Sequence, residues 1–125
     1  MRNWKSVRIG CAAAALALMV AGSVMAHSSN HENRLTFSRP VALPGVVLPA
    51  GSYTFDVASD TALDVVVVRN RTKVFYMGFT NLVRRPKGMS MDTPVIFAEA
   101  RANEARPIAT WYEIGNSIGH RFLYE

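Results

Sequence analysis

Apolar side chains in this chain recur at every second position, and nowhere after residue 26 do they settle into a convincing period of three to four. Alternation belongs to an extended backbone whose two faces meet different surroundings, because successive side chains of a strand point to opposite sides. In RLTFS (34–38), Leu35 and Phe37 share one face and Thr36 and Ser38 the other. In SYTFDV (52–57), Tyr53, Phe55 and Val57 oppose Thr54 and Asp56. Between these runs lies RPVALPGVVLPAG (39–51), where Pro40, Pro44 and Pro49 exclude a helix and Pro44-Gly45 and Ala50-Gly51 read as turns.

The same grammar continues to the C-terminus. Val65–Val68 is an unbroken β-branched run, as expected of a central strand covered on both faces. Arg69–Lys73 supplies a polar hairpin tip, and Val74–Phe79 returns from it. TPVIFAEA (93–100) predicts a further strand, with Pro94 at its entry, where a missing N–H does least harm. PIATWYEI (107–114) and HRFLYE (120–125) predict the last two. Short strands at regular spacing with turns between them predict one all-β domain over residues 34–125, a single antiparallel β-sandwich of about seven strands. Leu35, Phe37, Tyr53, Phe55, Val57, Val65, Val67, Phe97 and Trp111 are expected mostly inside.

The first 26 residues speak a different language. Arg2, Lys5 and Arg8 precede an apolar run from Ile9 to Val20, and small residues lead to Val24-Met25-Ala26. This is the pattern of a secretory signal peptide, an apolar helix cut after Ala26. A run of about a dozen residues is too short for a bilayer span, which needs roughly 20. Cys11 stands at the start of that run, not behind it where a lipid-anchoring cysteine belongs. The mature chain then begins at His27 with a flexible polar lead-in (27–33), has no membrane span and holds no cysteine. The expected destination is the periplasm or the extracellular space, with stability supplied by the core alone. The precursor carries a formal charge of +5. Without Arg2, Lys5 and Arg8 the remainder has 11 basic against 9 acidic residues, a net +2 that removes the main support for nucleic-acid binding.

EIGNSIGHRF (113–122) has the look of a phosphate-binding loop but not its parts. Such a loop needs a strand before it, a helix after it, and Lys and a hydroxyl behind the second glycine. Here the glycine spacing is one residue short, and His120 and Arg121 follow Gly119. The stretch reads instead as a hairpin turn in which Gly115, Asn116 and Gly119 supply positive φ angles.

Leu48-Pro49-Ala50-Gly51, Tyr53, Phe55, Phe97-Ala98-Glu99, Trp111, Gly119-His120, Phe122 and Tyr124 together resemble a group of small exported bacterial proteins whose function is uncharacterised. The similarity runs roughly from Leu35 to Tyr124 and implies a signal peptide followed by one all-β domain. It carries over no catalytic or binding residue.

Chemistry-bearing side chains are sparse. His120 alternates with Phe122 and Tyr124 and reads as a structural residue at the end of a turn. Ser117, three positions earlier, lacks a nucleophile-elbow context. Trp111 and Tyr112 point to opposite faces, so one is expected in the core and the other partly exposed, a possible platform for a sugar or another apolar ligand. Asp56, Asp60, Asp64, Glu99 and Glu104 are dispersed and mark no working pair of carboxylates. The basic clusters RNRTK (69–73) and RRPKG (84–88) read as solvated loop charge.

The expected function is therefore an exported, non-enzymatic module with a binding or structural role in the cell envelope, its ligand unspecified and no cofactor required. The alternative is a periplasmic copper-binding protein. The α-amine and imidazole of His27, with His31, suit Cu(II), and the thioethers of Met89 and Met91 suit Cu(I).

Overall fold

The computed structural model describes residues 31–125, and these form an all-β unit. The expected signal segment, Cys11 and His27 lie outside the described residues. Nine strands follow in chain order: β1 (Asn33–Phe37), β2 (Val41–Leu43), β3 (Val46–Leu48), β4 (Gly51–Ser59), β5 (Ala62–Arg69), β6 (Val74–Arg84), β7 (Val95–Phe97), β8 (Arg106–Tyr112) and β9 (Ile118–Phe122). They pair along one continuous path, β1-β4-β5-β6-β9-β8-β2-β3, with β7 added to β8. Every pairing is antiparallel except that of β2 with β8, which is parallel through Val41↔Arg106 and Ala42↔Pro107.

Two of these strands come from a segment expected only to turn. β2 and β3 occupy the proline-rich stretch as a three-residue hairpin around Pro44-Gly45, where Gly45 has a φ of 78°. Pro40, Pro44 and Pro49 all fall just outside the ladder, so none removes a needed N–H. The proline spacing sets the limits of each strand and does not exclude it. β7, by contrast, ends at Phe97, which leaves Glu99 exposed beyond the strand.

On β1, β4 and β8 the inner face is the one that alternation predicts; on β5 the core takes Val66 and Val68, and the expected Val65 and Val67 lie on the other face, where Val67 pairs with Asp56. Leu35, Tyr53, Phe55 and Val57 are buried, together with Val66, Val68, Ile108, Trp111 and Phe122. Phe37 and Phe97 pack partly buried against this cluster, and Val65 is only half-buried on the other face. The sheet turns back on itself around these side chains: Phe55 of β4 and Trp111 of β8 are not adjacent in the path, yet their rings lie 5.7 Å apart.

β1 and β7 face each other without a ladder. Among the described residues β1 pairs only with β4, and β7 only with β8. Side chains bridge the gap. Phe37 of β1 meets Phe97 of β7 edge-on, with centroids 6.4 Å apart. At the other end of β1, Asn33 Oδ1 accepts hydrogen bonds from Trp111 Nε1 and the Ile114 backbone N–H, both at 3.0 Å.

Candidate functional site

The polar end of this seam is built on the β8–β9 hairpin. Trp111 and His120 face each other across its ladder, and their rings stack at 4.7 Å with 19° between planes. Glu113 follows Trp111 by two residues and so inherits its inward direction. The residue is 2 % exposed. Oε2 meets His120 Nε2 at 2.6 Å and Oε1 meets His31 Nδ1 at 2.6 Å, while Asn116 Nδ2 donates to Oε1 at 3.2 Å.

One carboxylate thus joins a histidine from β9 to a histidine from the segment before β1. Burial works to raise the Glu113 pKa, but hydrogen bonds from His120 and His31, and their charges, outweigh it and hold the carboxyl below its ordinary value. The second His120 nitrogen, Nδ1, is buried with no hydrogen-bond partner. With Nε2 donating to the carboxylate, a neutral ring leaves only a lone pair on Nδ1, whereas an imidazolium would strand a buried N–H.

The turn carrying Glu113 is held from behind by Arg85, which is only 8 % exposed. Its guanidinium donates to four backbone carbonyls: Asn116 from Nε at 2.9 Å, Ser90 and Thr93 from Nη1 at 2.7 and 2.8 Å, and Glu113 from Nη2 at 2.9 Å. It also lies 5.0 Å over the Tyr112 ring. The expectation that the RRPKG cluster is solvated is corrected here: Arg84 is exposed, but Arg85 is a structural pin whose five donors suit converging carbonyls.

Tyr112 also departs from expectation. It is buried, as is Trp111, although the two point to opposite faces. Arg85 covers Tyr112 on the outer side, and Gly119 makes room for its ring, since an added Cβ would stand 2.6 Å from Tyr112 Cε1. Tyr112 is therefore not an exposed platform. Only Gly115 of the three expected turn residues has a positive φ, at 77°; Asn116 holds the turn through its side chain, and Gly119 lies within β9.

The remaining sequence candidates are scattered. His120 is wholly buried, which removes it from contact with a dissolved substrate. Ser117 is exposed in the turn. Met89 is half-buried and Met91 exposed, and the Met91 carbonyl accepts a hydrogen bond from Gly115 at 2.9 Å, so this loop docks on the same turn as His31. Among the described residues no group of three or more His, Cys, Asp or Glu side chains is placed to hold a metal ion. No described helix is long and apolar enough to cross a membrane.

The lead-in is pinned where it meets the domain. His31 reaches Glu113, Asn33 reaches Trp111, and Glu32 accepts a hydrogen bond from Arg69 at 3.2 Å. Arg69 also lies 3.6 Å from the Asp56 carboxylate. None of these partnerships has a motif spacing. Glu113 was nevertheless legible in principle: once Trp111 is placed inside, period-two alternation places Glu113 inside as well.

At the aromatic end of the seam, a groove of about 470 Å³ opens between the β1–β2 corner and the approach to β8. Phe37 and Phe97 line it with Thr36, Arg39, Glu104 and Arg106. The Arg106 guanidinium rests 4.3 Å from the Phe97 ring centroid, which leaves the edges of its fork open to an acceptor.

No protein-family model, curated protein or solved structure matches the chain.

Proposed function

We propose that this chain is an exported, non-enzymatic module whose two curled sheet halves form a sandwich around one core, and that it binds an envelope ligand at the groove beside β1. The observation that carries the reading is the contrast between the two polar features. The Glu113 and His120 side chains are buried and bonded to each other. The groove instead combines aromatic surface with two exposed arginines, a setting for a carbohydrate or peptide bearing acceptor groups. Export is supported by the charged start, short apolar run and small-residue site of the first 26 residues.

A glycan array and an unbiased pull-down with the chain starting at His27, repeated with Arg39→Gln/Arg106→Gln, test this function. Retention by the native chain and loss by the double variant is the expected result. Retention unaffected by the substitutions would place binding elsewhere, and turnover of a captured compound would overturn the non-enzymatic reading.

A copper-binding alternative is favoured by one feature: His31 and the Met91 loop dock on the same 113–117 turn. Copper at His31 Nδ1 would have to displace Glu113. Titrating Cu(II) into the chain starting at His27 and into a version with one preceding glycine tests the role of the α-amine, since the extra residue moves the amine away and keeps every imidazole. Equal affinity in the two removes the N-terminal chelate.

A further inference from the structure

We propose that the outer face of β5, β6 and β9 is a dimer interface, on which a second copy of this chain packs face to face with its strands antiparallel. Val66, Val68 and Phe122 point into the core, so their neighbours along each strand point out. Across the ladder Val65 pairs with Phe79, and Val67 with Met77. Phe79 is 68 % exposed and Met77 63 %, the highest values among the large apolar side chains of the described residues. Leu123 follows Phe122 by one position, and the β6–β9 register carries it to the level of Phe79. Val65, Phe79 and Leu123 thus form an apolar stripe across the middle of a sheet face. A face that meets only water carries polar side chains at such positions, as β1 does with Arg34 and Thr36.

The charges beside the stripe select its occupant. Arg121, Leu123 and Glu125 are successive outward positions, so a cation stands on one side of the stripe and a carboxylate on the other. Both are exposed, and neither makes an ion pair among the described residues. A two-fold axis along the stripe, crossing the strands, lays Phe79 on Phe79 of the second copy and reverses the strand direction. Arg121 of each copy then faces Glu125 of the other, and Val67 of each comes over Leu63 of the other. The face is self-complementary, as a two-fold contact requires. An axis along the strands would instead set Val67 against Glu125 and Leu63 against Arg121, which desolvates both charges without a partner. Asp56, at the β4 end of the Val67 row, already has Arg69 at 3.6 Å. An anionic lipid surface would meet Glu125 together with Arg121, and so matches the face less well.

Two sheets packed in this way lie about 10 Å apart with their strands crossed by about 30°. None of the residues lining the groove beside β1 belongs to β5, β6 or β9, so the interface stands whatever that groove holds.

Sedimentation equilibrium of the chain starting at His27, over a wide concentration series, tests the interface. The expected result is a reversible passage from monomer to dimer, weakened about tenfold or more by Phe79→Ser. Urea denaturation at a dilution where the native chain is monomeric should show equal stability for this variant, which separates lost association from lost folding. Arg121→Glu and Glu125→Arg should each weaken the dimer several-fold, and the double variant should restore it, because the reversed charges meet again across the axis. A native chain that stays monomeric throughout the series would overturn the proposal, whatever else binds the face. So would a dimer that Phe79→Ser leaves intact, and failure of the double variant to recover would overturn the antiparallel pairing.

Discussion

The two ends of β1 close the same seam by opposite means. At Asn33 and His31 the closure is polar: a stacked tryptophan and histidine, a buried carboxylate, and hydrogen bonds of 2.6–3.0 Å. At Phe37 it is aromatic, an edge-on contact with Phe97 beside an open groove. Aromatic contact is tolerant of direction and indifferent to pH, so it can leave space at its margin. The polar closure leaves little, because its buried donors and acceptors, His120 Nδ1 excepted, are partnered at short range. It is also conditional, since its central group titrates. A seam with no backbone ladder can thus combine a permissive end with a conditional one.

The largest effects should come from the core that both ends share. Trp111→Ala removes the ring that stacks on His120, packs on Phe55 and donates to Asn33. It should cost about 3–5 kcal/mol in urea denaturation, enough to unfold a marginal domain. Phe97→Ala, at the half-buried aromatic end, should cost less and leave the polar end intact, which can be read from the Trp111 indole resonance. Equal losses in the two would erase the distinction between the ends.

Arg85→Ala should come next, at about 3 kcal/mol, because it leaves four carbonyls without their donor. Arg85→Lys should recover only part of this, since a single ammonium cannot reach acceptors fanned around a planar fork. Full recovery by lysine in the same denaturation series would mean that charge alone holds the turn.

Gly119→Ala should cost about 1–3 kcal/mol through the clash of its Cβ with the Tyr112 ring. The strain acts on the outer side, so amide hydrogen exchange in β1 should be unaffected. At the small end, Phe79→Ser, on an outward side chain that is 68 % exposed, should change stability by about 0.5 kcal/mol or less.

Alternation made the β class and the inner face readable, because a half-buried strand imposes its period directly on the sequence. Tyr53, Phe55, Val57 and Trp111 lie inside as expected. The short hairpin of β2 and β3 was hidden by its prolines, which forbid a helix yet flank a three-residue strand without harm. The polar end was hidden for another reason. Glu113, His31, Asn33 and Arg85 are brought together by the return of the sheet upon itself, across separations of up to 82 residues. No local period encodes that meeting. Arg85 illustrates the limit: beside Arg84 in a basic run it resembles solvated charge, and only the converging carbonyls of two loops make it a buried pin.

The central claim is that the polar closure is held by an ionised Glu113. Its folded pKa lies below the unfolded reference of 4.5. The carboxylate's stabilising contribution is therefore fully present above that reference and is lost as pH falls through the folded value. The most direct measurement is the unfolding free energy of the native chain and of Glu113→Gln, each determined in urea over a pH series descending from 7 until the carboxyl is protonated. The account predicts a difference of about 2 kcal/mol at pH 7, the scale of a buried charge-assisted hydrogen bond, shrinking toward zero as pH falls through the folded value. A difference of the same size across the whole series would contradict it and would assign the role of Glu113 to shape instead of charge.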